Sequence, residues 1–128
     1  MREVDTYLRK LPAGARDRWC EAHPEVIFAA WYGGPLPHSK KTKAGRLLRL
    51  QLLGEQAPIL ADWLPAQLNR FPRKQVQPDD IIDAAALAVG AHLIETRPAG
   101  FRQLPDIPER DGQNLLMRMV YWQEEGLD

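Results

Sequence analysis

With 128 residues, 45% hydrophobic and 27% charged, the chain has the size and composition of one globular domain, residues 1–128. Lysine plus arginine equals aspartate plus glutamate at 17 each, so no overall field recruits nucleic acid or membrane, and any nucleic-acid contact must come from local clustering. The lone Cys20 excludes an internal disulfide and a cysteine-built zinc site, and the charged start Met-Arg-Glu-Val-Asp is unlike a signal peptide, so a cytoplasmic address is expected.

Residues 2–11 place Val4, Leu8 and Leu11 at i, i+4 and i+7 with Tyr7 beside them, an amphipathic helix closed by Pro12-Ala13-Gly14. So short a helix is marginal alone and has to dock on something. Residues 18–22 read as a short strand ended by His23-Pro24, and Pro24 suits the first turn of a helix over 25–31. The glycines and prolines of 32–38 mark a loop. Residues 39–46 open basic and turn into a helix. In it Leu47, Leu50 and Leu53 or Leu48 line one side, Arg46 and Arg49 take the other, and Gly54 is the stop. A helix over 58–68 buries Ile59, Leu60, Trp63 and Leu64, with Pro65 bending it. Residues 70–77 form a polar connector.

The stretch 78–94 organises the rest. It is alanine-rich and apolar almost throughout, too short to span a bilayer, so it belongs in a core with contacts on more than one side. Asp79, Asp80 and Asp83 crowd its first turns. Asp79 after Pro78 reads as an N-cap, and acids there complement the helix dipole. Asp80 and Asp83, at i and i+3, share a face and repel one another, an arrangement that also suits a hard divalent cation. Both readings stand at this point.

After Pro98-Ala99-Gly100, residues 101–104 read as a strand, 105–113 as a turn-rich link and 115–122 as the strongest strand, rich in aromatic and β-branched residues. The two strands form an antiparallel hairpin. The fold class is α/β, with three strands in a small mixed sheet and about five helices. The strand over 18–22 has no sequential neighbour to pair with. Trp19, Trp31, Trp63 and Trp122 fall on apolar faces and read as core more than as base-stacking platforms.

Three segments together resemble a family of predicted RNase H-like nucleases, domain-of-unknown-function family 429. They are Glu21-Ala22-His23-Pro24-Glu25-Val26-Ile27-Phe28, then Ser39-Lys40-Lys41-Thr42-Lys43-Ala44-Gly45-Arg46-Leu47-Leu48-Arg49-Leu50, then Asp79-Asp80-Ile81-Ile82-Asp83-Ala84, with Leu104-Pro105 and Met119-Val120-Tyr121-Trp122 downstream. The resemblance implies a partial RNase H-like fold, with helices on both faces of a mixed sheet. It also implies an acidic site in which Glu21 is the middle acid and Asp80 and Asp83 are the late-helix pair. Family members carry a preceding half with the first strands and a leading aspartate. Neither Asp5 nor Asp17 takes that place, so the chain resembles the C-terminal half.

The chemistry implied is two-metal phosphodiester hydrolysis with Mg²⁺ or Mn²⁺ on Glu21, Asp80 and Asp83. His23 would orient the scissile phosphate or move a proton, or else is hydrogen-bonded at a strand end. Glu25 is a first-turn acid or a support for the site. Lys40, Lys41, Lys43, Arg46 and Arg49 form the one basic cluster, either a grip on nucleic-acid phosphates or a solvated helix face. The expectation is a nuclease-family hydrolase domain, incomplete without its N-terminal half. The rival is a non-catalytic module that self-associates, or pairs with that half, through an open strand edge.

Overall fold

The computed structural model describes residues 2–126. Its α-helices are α1 (Arg2–Lys10), α2 (Ala13–Arg16), α3 (Pro24–Tyr32), α4 (Lys43–Gln56), α5 (Leu60–Gln67) and α6 (Pro78–Thr96), followed by strands β1 (Phe101–Arg110) and β2 (Leu116–Trp122). The strands pair antiparallel, from Phe101 opposite Trp122 to Arg110 opposite Leu116. The architecture is mixed α/β with a C-terminal hairpin.

The core gathers where α3, α4 and α6 meet β2. Phe28, Leu53 and Ala86 are fully buried, and Ile27, Ile82 and Trp122 nearly so. Each large side chain buried this way contributes about 1.5–3 kcal/mol. Trp122 is seated by its indole N–H, which donates to Arg97 O at 2.8 Å. A Cβ at Gly100 would overlap that indole, so only glycine lets the turn into β1 lie against it.

Several expectations are corrected. Residues 18–22 are not a strand: one parallel bridge, Glu21 to Met119, is all that joins them to β2, because nothing pairs with their other edge. The sheet is accordingly a two-stranded antiparallel hairpin plus that bridge, not a three-stranded mixed sheet. Residues 13–16 form α2 where a loop was expected. β1 runs on through Pro105 and Pro108 to Arg110, and the register breaks between Leu104 and Glu109 because neither proline has an N–H to donate.

The faces of α4 and α5 also differ. α4 passes through Gly54 to Gln56, since Gly54 serves as the close contact with Ala61 rather than as a stop. Its inner face is Gly45, Arg49, Leu52 and Leu53, while Leu47 is exposed. Burying Arg49 rotates the helix away from the side that leucine spacing alone selects. α5 buries Leu64 and leaves Ile59 and Trp63 outside, because so short a helix meets its neighbour along one line. Trp19 is exposed too, edge-on to Tyr7 with ring centroids 5.7 Å apart, so Trp31 and Trp122 alone of the four are core. α6 packs on α3, α4 and β2 but keeps Leu87 and Ala91 open to solvent.

Candidate carboxylate and lysine site

The first turns of α6 meet the loop that precedes α4. Gln77, not Asp79, is the N-cap of α6, and Asp80 Oδ2 accepts from Gln77 N at 3.1 Å in a capping-box geometry. That cap turns Asp80 outward and away from Asp83. Asp79 is instead buried and accepts from Lys41 Nζ at 2.8 Å. Asp83 Oδ2 accepts from Lys40 Nζ at 3.2 Å, and the same ammonium lies 3.8 Å from Asp79. Asp79 and Asp83 are therefore the carboxylates that share a site, one helical turn apart at i and i+4. Asp83 Oδ1 is buried with no hydrogen-bond partner among the described residues.

The two lysines are held in place from behind. Thr42 caps α4, accepting from Gly45 N at 3.0 Å and donating to Ser39 O at 2.8 Å. Ser39 O presses so closely on α4 that a Cβ at Gly45 would collide with it. Arg49, 3% exposed, then closes the arrangement. Its guanidinium donates to Glu25 Oε1 and Oε2 at 3.2 and 2.8 Å, and also to His38 O and Gly45 O at 3.0 and 2.9 Å. The fork-on-fork pair with Glu25 is a strong charge-assisted one. Arg49, expected at a nucleic-acid phosphate, is thus spent inside the fold and positions the lysine loop. Glu25 is its counterion.

Electrostatics follow this geometry. The Lys41 hydrogen bond holds the Asp79 carboxyl below its ordinary value, against the opposing effect of burial. The Asp83 hydrogen bond and charge hold the Lys40 ammonium above its ordinary value. Lys41 keeps most of its side chain in solvent, Lys43 is exposed, and Arg46 is half-buried beside them, so positive charge continues outward from the site.

The other expected residues lie elsewhere. His23 is the N-cap of α3, its Nδ1 accepting from Glu25 N at 3.3 Å. Glu21 is exposed, its carbonyl accepting from Val120 N at 2.8 Å. Among the described residues no three His, Cys, Asp or Glu side chains gather as a cation shell needs, so Glu21, Asp80 and Asp83 do not converge. The residues that sequence reasoning passed over are Asp79 and the Glu25–Arg49 pair. The i, i+4 spacing of Asp79 and Asp83 opposite adjacent lysines was the available signal.

What the structure does bring together is all three motifs. Glu25 joins Arg49, and Lys40 and Lys41 join Asp83 and Asp79. A family model described as "Protein of unknown function (DUF429)" matches residues 1–110. The chain is a DUF429 member. The match takes in every helix of this DUF429 chain together with β1. No curated protein and no solved structure matches it.

Proposed function

We propose that this DUF429 chain is a nuclease-family domain for phosphodiester hydrolysis that is silent by itself, its late-helix acids held by its own lysines until further polypeptide completes the site. One observation carries this reading: each of the three acids at the start of α6 is already engaged, Asp79 by Lys41, Asp83 by Lys40 and Asp80 by the helix cap. The unpartnered Asp83 Oδ1 is the one atom that suits an added cation. A single carboxylate oxygen does not make a two-metal centre, and the residues present do not fit one. The chain's own contribution is the array of Lys40, Lys41 and Arg46 beside the acids, which supports phosphate contact rather than base reading.

The test is to incubate the chain with Mn²⁺ and single-stranded, double-stranded or branched nucleic acid. The expected result is no cleavage, with weak binding that falls steeply as salt rises and weakens further in Lys41→Ala/Lys43→Ala. Robust turnover abolished by Asp83→Asn would overturn the claim that the domain is silent. Salt-independent binding, or none, would overturn the phosphate contact.

A non-catalytic reading is favoured by a different observation. The segment 18–22 leaves an open sheet edge beside β2, and such edges pair with other chains. On that reading the family relationship describes ancestry, and pairing is the function.

A further inference from the structure

Residues 18–22 run alongside β2, yet Glu21 alone pairs with it. In an extended segment, neighbouring residues send their backbone groups to opposite edges. Glu21 therefore faces β2, while Cys20 and Ala22 turn their N–H and C=O groups away from it. Among the described residues, none of these four groups makes a hydrogen bond. The opposite edge of the sheet, β1, is blunted by Pro105 and Pro108, but the Cys20 edge has no such protection.

A groove lies on each face of this edge, and Cys20 lines both. One, of about 800 Å³, opens between Leu8 of α1, Trp19 and Met117. The other, of about 480 Å³, is floored by Leu87, Gly90 and Ala91 of α6, where small residues leave room. Arg18 is the one charged side chain lining the second groove, and it makes no ion pair among the described residues.

We propose that this edge docks an extended polypeptide strand, apolar on both faces and carrying a carboxylate beside Arg18. Such a strand continues the β1–β2–Glu21 ladder, and its alternating side chains enter the two grooves in turn. Strands covered on both faces are apolar throughout, unlike the half-solvated strands of a hairpin. A second copy of 18–22 is a poorer occupant, since Cys20 and Ala22 are too small to fill either groove. The inference rests on the reading that further polypeptide completes the domain, and it identifies the chemistry of that polypeptide.

The test selects displayed ten-residue random peptides on the full chain, with counter-selection on Leu87→Glu/Ala91→Glu. Both positions are exposed and glutamate favours helix, so the variant keeps its fold. The expected winners are continuous apolar runs flanked by an acid. A synthetic winner should bind the double variant at least about tenfold more weakly, a loss of about 1.4 kcal/mol. N-methylation at every second residue should abolish binding in one phase and spare it in the other. Arg18→Glu should move the preferred flank from acidic to basic. No enrichment, equal affinity for the double variant, or indifference to N-methylation would overturn the proposal. Self-association of the chain that the double variant loses would replace the strand by a second copy. The assay contains neither metal nor nucleic acid, so its failure is separate from failure of the hydrolase reading.

Discussion

Around α4 and α6 charged side chains are taken inside and given partners, whereas around α1 and the hairpin apolar side chains are left in water. Arg49 is 3% exposed and makes four hydrogen bonds. On the other side α1 has no buried residue among those described, and Val4, Tyr7, Trp19 and Met117 are all about half exposed. What attaches that side is polar and superficial. Arg16 donates to Arg9 O and Leu11 O, both at 2.8 Å, and Arg110 grips Asp17 with two bonds of 3.0 and 2.8 Å. Exposed pairs of this kind contribute about 0–1 kcal/mol. The contrast separates a finished part of the molecule, which fixes the lysine loop, from a part whose apolar surface awaits cover.

The largest test of this contrast is Arg49→Met. Removing a buried partner that several groups depend on costs about 3 kcal/mol, toward the low end for such pairs because Glu25 is partly exposed. Denaturant unfolding checks it, and a loss under about 1 kcal/mol would place the network at the surface energetically. Gly45→Ala comes next, at about 1–3 kcal/mol, because the added methyl group displaces Ser39. With the loop displaced, NMR titration should show the Asp79 carboxyl returning upward toward its ordinary 3.8.

The pH dependence is smaller and has two limbs. Asp79 titrates below its unfolded value of 3.8, so its stabilisation is complete above that pH and is lost as pH falls through the folded-state value. Lys40 titrates above 10.5, so its stabilisation is complete below that pH and is lost as pH rises through the folded-state value. Asp79→Asn should flatten the acid limb of a Tm profile, and Lys40→Met the alkaline one. The smallest effect belongs to the open side. Tyr7→Ala removes an exposed edge-to-face contact and should change stability by about 1 kcal/mol or less. A larger loss would mean that α1 is part of the core after all.

Much of the fold was legible because periodicity reports burial. The apolar spacing of α1, the proline-started α3, the alanine-rich α6 and the aromatic β2 all lie close to where the sequence puts them. Periodicity failed where a charge is buried, since it assigns Arg49 to the surface and so misreads the inner face of α4. It failed again at residues 18–22, whose apolar content suits a strand but which find one bridging partner. At the site, the sequence shows three acids without saying which two point together. A cap on Asp80 and lysines on Asp79 and Asp83 decide that, and these are contacts between segments about forty residues apart.

The central claim is that the acids of α6 are engaged by the chain's own lysines and do not form a metal centre by themselves. A calorimetric titration of Mn²⁺ into the full chain, run beside Asp80→Asn/Asp83→Asn, addresses it most directly. The account predicts no saturable binding in either protein. Saturable binding to the chain that disappears in the double variant would contradict it, and would mean that Lys40 and Lys41 yield their carboxylates to the cation.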